Sequence, residues 1–461
     1  MQYISTRGGA PAVSFTDALL AGLAPDGGLY VPETWPQLSL DEIRAFAGAP
    51  YARVAAEILL RFAGASLTRD EAEAATETAY ASFAHPARTP LSQLDADLWL
   101  LELFHGPTLA FKDVAMQLLR PLYEHALKAQ GRRLTIVCAT SGDTGGAAVE
   151  AFRGSPDIDL VVLFPHGRIS EVQRRFMTAA PDDNVRCVAV DGTFDDCQAI
   201  LKALFADRAF ADAVDLSGVN SINWARIVAQ SVYYFTAAVA LGAPDRPISF
   251  AVPTGNFGDA FAGYVAHRMG LPIARIVVAT NANDILARVV ASGRYARGAV
   301  VATQSPAMDI QVASNFERLY FEAVGRDPVE TARAFTVFGA TGSLDLPSQA
   351  RGEISALFDA ASTTEAHTAQ QMADTERRTG HLVDPHTAVA LWAGQTIYRG
   401  AAPLVALSTA HPAKFPEAVQ AATGVHPALP KRVGDLYARP ERITRLPADI
   451  EAVKVFVRAG R

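Results

Sequence analysis

Lys112 stands in FHGPTLAFKDVAMQ (104–117), between a glycine–proline turn and the start of an apolar-periodic helix. Desolvation beside Ala110 and Phe111 penalises an ammonium there, and the positive end of a helix dipole disfavours it further. Both effects lower the amine's pKa, and a neutral lysine can attack a carbonyl to give a Schiff base. The competing reading is a surface lysine snorkelling off a helix end. Two glycine loops, TSGDTGG (140–146) and PTGNFGD (253–259), could each hold a phosphate or carboxylate. Glycine lets backbone N–H groups turn toward an anion, and a following helix adds unpaired donors. Alternatively both are plain strand–helix turns capped by Thr140 or Ser141 and by Thr254.

The elements that must position these residues recur as a short apolar run, a turn and a helix. LTIVCAT (134–140), IDLVVLF (158–164), VRCVAV (185–190), ISFAV (248–252), ARIVVAT (274–280) and PLVALST (403–409) read as strands buried on both faces. Such runs alternating with helices predict an α/β fold with parallel sheet. Residues 1–90 read as a mainly helical N-terminal region, with AHPARTP (84–90) as a linker. A second helix-rich stretch covers about 345–395, including EISALFDAAS and TAQQMADTERRTG. Residues 431–461 read as a C-terminal wrap ending in a strand-like VKVFV.

Bulk properties narrow the function. The chain has 461 residues, half of them hydrophobic and 19% charged, with a formal net charge of −7. That balance argues against a nucleic-acid partner, which needs a basic face. The sequence contains no apolar run of membrane-spanning length and no signal-peptide core at its start, so a cytoplasmic protein is expected. Cys138, Cys187 and Cys197 fit neither a disulfide framework nor a zinc motif. No metal is expected either at His381 and His386, because DPHTAV reads as a helix start capped by Asp384 with Pro385 at its first position. P-loop, G-x-G-x-x-G, G-x-S-x-G and HExxH motifs do not occur.

If the carbonyl that Lys112 attacks belongs to pyridoxal phosphate, an anion cradle and a group facing the ring nitrogen are also needed. TGNFG offers the cradle, and ALSTAHPAKF (406–415) offers hydroxyls at a strand end. A hydroxyl leaves the pyridine neutral and biases the chemistry toward elimination and replacement.

The chain resembles the threonine synthase family, in its bacterial and fungal class without a regulatory S-adenosylmethionine extension. YISTRGG, GLAPDGGLYVP, FHGPTLAFKD, TSGDTG, NSINWARI, PTGNFGD, TNANDIL, SPAMDI, SNFER, DPHTAVA and STAHPAKF carry the resemblance in order along nearly the whole chain. It implies a tryptophan synthase β-like fold (pyridoxal phosphate fold type II): two parallel-sheet α/β domains plus the N-terminal helical region. Catalytic domains would span 91–430, the smaller one about 113–240.

The resemblance makes Lys112 the Schiff-base lysine. Gly255, Asn256 and Phe257 would cradle the cofactor phosphate, Gly258 and Asp259 would close that loop, and Thr409 would face the pyridine nitrogen with Ser408 as nearest competitor. Thr140, Ser141, Asp143 and Thr144 would receive the substrate's α-carboxylate. Asp143 stands where many relatives of the fold carry an asparagine that contacts the ring hydroxyl. The substrate's own phosphate needs a second anion site, for which Arg226 with Ser221 and Asn223, Lys414 and Arg168 are candidates. The implied reaction is that of a lyase converting O-phospho-L-homoserine and water to L-threonine and phosphate, by a cytoplasmic enzyme expected to be a monomer. A serine or threonine dehydratase or phospho-amino-acid lyase of the same fold is the alternative. A non-catalytic scaffold would be expected to have lost the lysine or a cradle loop.

Overall fold

The six apolar runs are all strands in the computed structural model, which describes residues 1–460; Arg461, the last residue of the expected wrap, lies outside them. They divide between two sheets. The larger has six strands in the order Phe358–Ser362, Ile273–Thr280, Ile248–Pro253, Leu404–Ser408, Leu98–Glu102 and Leu91–Asp95. All neighbours are parallel except the edge pair of Leu91–Asp95 with Leu98–Glu102. The smaller sheet is parallel throughout, in the order Thr444–Pro447, Val185–Asp191, Ile158–Pro165, Leu134–Ala139 and Leu216–Ser217.

Side chains along the larger sheet alternate between two cores, as a period of two requires. Phe250, Val252, Ile276 and Val278 pack with the helices Trp224–Ala240 and Gly258–Arg268. Ala251, Val277, Ala279 and Ala406 face the helix Pro385–Ile397. Small residues on that second face let the helix come close. A Cβ at Gly394 would lie 2.8 Å from Leu404 Cδ2 and 3.1 Å from the Ala251 methyl.

The N-terminal region is helical as expected, with helices Phe15–Ala21, Tyr51–Ala63 and Arg69–Tyr80, plus an antiparallel pair Tyr3–Ser5 and Tyr30–Pro32. Its packing centres on Trp224, whose indole donates to the Tyr3 hydroxyl at 3.2 Å, while that hydroxyl donates to the Phe62 carbonyl. The helix that carries Arg226 is thereby fixed to the first strand of the chain.

Two expectations fail at the C-terminal side. In EISALFDAAS the helix Ser348–Leu357 ends and Phe358–Ser362 becomes the edge strand of the larger sheet, held by Arg275 against Asp359. VKVFV is not a strand: it lies inside the helix Ile450–Arg458. Its alternating pattern suits a strand, but Asp449 accepts from the Ala452 amide at 2.8 Å and starts a helix. Val453 and Val457, four apart, then reach the core of the smaller sheet, while Val455 stays 65% exposed. The wrap also does more than cover the body, since Thr444–Pro447 extends the smaller sheet.

Among the described residues no helix is long and apolar enough to cross a membrane. Val457→Asp places an unpaired carboxylate against Cys197, Leu201 and Leu204 and is expected to cost about 3 kcal/mol. A urea titration should show the lower midpoint, with faster labelling of the Cys197 thiol. An unchanged midpoint would contradict the docking of this helix.

Candidate active site

Parallel strands send their carboxyl ends the same way, so the loops after Leu134–Ala139, Ile248–Pro253 and Leu404–Ser408 open toward a common region. Lys112 is the first residue of the helix Lys112–Gln130. The loop before it is held from both sides. The Asp113 carboxylate accepts from the Thr108 amide and hydroxyl, each at 2.7 Å, and Leu109 takes a left-handed φ of 63°. The Phe111 amide donates to the Thr409 carbonyl at 2.8 Å and the His411 amide to the Leu109 carbonyl at 3.0 Å. The lysine loop and STAHPAKF are therefore laced together, which brings Lys112 beside Thr409.

The Lys112 side chain is only 13% exposed, and its amine lies 3.7 Å from Asp143 Oδ2. Burial lowers its pKa, and the cationic Lys414 and Arg226 lower it further; Asp143 opposes them. The snorkelling reading fails on this burial. Asp143 is itself buried between two cations, with Lys414 Nζ 2.8 Å from Oδ1. Burial pushes its pKa up, but Lys414 and Lys112 outweigh that and hold the carboxylate ionised well below its usual range.

In the TSGDTGG loop, Thr140 caps the following helix, its hydroxyl accepting from the amides of Gly142 at 2.9 Å and Gly145 at 3.0 Å. These bonds give Thr140 a role in shaping the loop, and its hydroxyl proton has no acceptor among the described residues. The amides of Ser141, Asp143 and Thr144 have no acceptor among the described residues, nor do the hydroxyls of Ser141 and Thr144. Gly142 is required, because at φ 143° a Cβ would lie 2.5 Å from the Gln173 side chain. Gln173, which the sequence did not single out, donates to Asp143 Oδ1 at 3.0 Å.

The GNFG loop is the stronger cradle. Amides of Gly255, Asn256, Phe257, Gly258, Asp259 and Ala260 find no acceptor among the described residues, at the N-terminus of the helix Gly258–Arg268. Phe257 adopts a left-handed φ of 61° that turns the loop. Gly255 leaves room for the Ala307 carbonyl, which a Cβ would approach to 2.8 Å. Thr254 does not cap; its hydroxyl donates to the Val252 carbonyl. Asn315, also missed, donates its side-chain amide to the carbonyls of Asn256 and Ser221 at 3.1 and 3.2 Å and is held by the buried Arg318. The Asp259 side chain does not line the cradle. It turns into the core and accepts from the hydroxyls of Tyr233 and Tyr234 at 2.5 and 3.0 Å, and burial raises its pKa to about 7.

The two strand-end hydroxyls differ in their partners. Ser408 is engaged with the Thr387 hydroxyl at 3.0 Å, whereas the Thr409 hydroxyl has no partner among the described residues. Arg226 is buried, donates to the Val219 carbonyl at 3.0 Å, and leaves its Nε with no partner among the described residues; burial brings its pKa down to about 10. Ser221 adjoins the cradle, its carbonyl 3.7 Å from where a Gly258 Cβ would sit. Asn223 is not available to a ligand, because it caps the Trp224–Ala240 helix and donates to Leu19 O and the Tyr123 hydroxyl. Lys414 is likewise committed, to Asp143 and to the Thr108 carbonyl at 2.8 Å. Arg168 is an exposed residue after the strand Ile158–Pro165.

Asp384 does cap the helix at Pro385, and His386 pairs with it while accepting from the Ala307 amide. Among the described residues no group of three or more His, Cys, Asp or Glu could hold a metal. A neutral-prone lysine, an amide cradle and a free hydroxyl at a strand end together fit pyridoxal phosphate.

Comparison with known proteins agrees. Residues 2–80 match the family model for the threonine synthase N terminus, 83–407 that for pyridoxal-phosphate-dependent enzymes, and 387–457 that for the threonine synthase C-terminal region. A threonine synthase of Pseudomonas aeruginosa is 50% identical over 459 residues, covering 99% of this chain and 98% of the relative. A PLP-bound threonine synthase structure from Brucella melitensis superposes with a TM-score of 0.98 at 51% identity, covering 100% and 99% of the two chains. The yeast threonine synthase structure gives a TM-score of 0.94 at 36% identity, covering 100% and 98%.

Because the Asp259 pKa is raised in the folded chain, the folded state holds a proton that the unfolded state releases. Its contribution is favourable at low pH and is lost as pH rises from about 4 to about 7. Relative to the native chain, Asp259→Asn should therefore gain stability across that window by a few kcal/mol, read from urea midpoints. A difference that does not vary with pH would contradict the burial of an ionisable group here.

Proposed function

The chain belongs to the threonine synthase family, and on that premise we propose that it converts O-phospho-L-homoserine and water to L-threonine and phosphate with the residues described above. It is a pyridoxal-phosphate-dependent enzyme of fold type II. Lys112 would carry the cofactor, the amides from Gly255 to Asp259 would hold its phosphate, and Thr409 would face its ring nitrogen. When bound, the cofactor supplies a sink for the electron pairs left at substrate carbons that lose protons.

The chain's own groups do the remainder. Unpaired amides at Ser141, Asp143 and Thr144, with two free hydroxyls, orient the substrate carboxylate. Lys112, as a free amine, takes protons from Cα and Cβ and returns one to Cγ after phosphate has left from Cγ; water then adds its hydroxyl at Cβ, and a proton goes back to Cα. That work needs an amine kept neutral near working pH, which its burial and cationic neighbours favour.

The observation that carries the choice of substrate is Arg226. A buried guanidinium with an orphaned Nε and no carboxylate partner among the described residues is costly unless an anion completes it. The GNFG cradle serves one phosphate, and Arg226, with Ser221 as a candidate helper, supports a second. A dehydratase acting on unphosphorylated threonine has no use for it. The cytoplasm is the proposed compartment, where free buried thiols such as Cys138, Cys187 and Cys197 persist, and a monomer is the proposed working form.

Purified enzyme should release phosphate and threonine in equal amounts from O-phospho-L-homoserine. Phosphate without threonine, or faster turnover of L-threonine itself, would move the function to a lyase or dehydratase. Lys112→Ala is expected to abolish turnover and the visible cofactor band. Arg226→Met should keep the band and raise KM by about tenfold or more, the value of a lost charge-assisted contact; an unchanged KM would remove Arg226 from the substrate site.

A further inference from the structure

Asp143 belongs to the helix that follows the first strand of the smaller sheet, Lys414 to the turn Pro412–Lys414 that follows the Leu404–Ser408 strand of the larger one. Their ion pair therefore bridges the two sheets, at 2.8 Å, with side chains 5% and 1% exposed. Each partner is held in place by a further bond: Gln173 donates to Asp143 Oδ1, and Lys414 donates to the Thr108 carbonyl. The Lys414 ammonium also lies 5.2 Å from the centre of the Phe176 ring. The free carboxylate oxygen, Oδ2, points to the Lys112 amine at 3.7 Å.

We propose that Lys414 is a positioning residue for the reaction, which acts through Asp143 to make a neutral buried pair beside Lys112 and so keeps that lysine from being locked as an ammonium. The inference rests on Lys112 being the cofactor lysine. A lone buried carboxylate next to an amine would hold the amine protonated, and a lone buried ammonium would repel a proton from it. The pair does neither in full, and is the charge equivalent of a neutral side chain at this position. Thr108 extends the effect to geometry, because the residue that binds Lys414 through its carbonyl is also the one Asp113 grips. The lysine loop, the pair and Lys112 thus form one connected unit. The charged groups that bear on Lys112 from the surrounding elements are Asp143, Lys414 and Arg226; the Asp113 carboxylate, on its own helix, is turned to Thr108.

The test is the rate at which Lys112 of the full chain, with cofactor removed, captures pyridoxal. The adduct is trapped with borohydride and located by mass spectrometry. Pyridoxal lacks a phosphate, so the cradle does not contribute. At fixed neutral pH the rate follows the fraction of neutral amine. Lys414→Met leaves Asp143 uncompensated and should slow capture by about tenfold, while Asp143→Asn leaves Lys414 uncompensated and should speed it by a similar factor. The double variant should return to within about threefold of the native rate, which loss of structure alone cannot produce. If Lys414→Met does not fold, Asp143→Asn still decides, since a rate equal to or slower than native overturns the pair. All three variants slowed alike would overturn it too. Failure of the native chain to capture pyridoxal at Lys112 would overturn the reading of the lysine itself, and this inference with it.

Discussion

An amine that must be neutral inside a protein has to be desolvated without leaving an opposite charge stranded beside it. That constraint organises the site around Lys112. Burial lowers the lysine's pKa, Asp143 raises it, and Lys414 and Arg226 lower it again. None of these groups tolerates burial alone. Asp143 needs Lys414, Lys414 needs the Thr108 carbonyl, and Arg226 keeps an Nε with no partner among the described residues.

The fold is what lets four distant segments meet these requirements. Parallel strands put every strand–helix loop at one end of its sheet, so the amide cradle, the second glycine loop and the free hydroxyl of Thr409 need no special excursion of chain. Close approach is then a matter of small residues. Glycine at 142 admits Gln173, glycine at 255 admits the Ala307 carbonyl, and alanines on the larger sheet admit the Pro385–Ile397 helix. The N-terminal region contributes rigidity from the other side, through Trp224 on Tyr3 and the helix that carries Arg226.

Much of this was legible in the sequence because it depends on local patterns. Continuous apolar runs identified six strands, and the glycine loops identified two places where amides would lie unpaired. The Asp384–Pro385 helix start was readable for the same reason, since a cap and a first-turn proline are local signals. What depended on partners far along the chain was not. Asn223 and Lys414 look like ligands in sequence, but only packing shows that Leu19, Tyr123, Asp143 and Thr108 already occupy them. Asp259 sits in the cradle motif, yet its side chain answers to two tyrosines of another helix. Gln173 lies in no motif, Asn315 lies in SNFER but only packing shows which carbonyls it holds, and VKVFV misled because alternation over five residues cannot outweigh a capped helix start at Asp449.

The central claim is that Lys112 is an unusually neutral lysine. Limiting acetylation of the full chain, with cofactor removed, across a pH series measures it directly. Lys112 should gain reactivity at a pH below the ordinary lysine range. Reactivity that rises only in the ordinary lysine range would contradict the account.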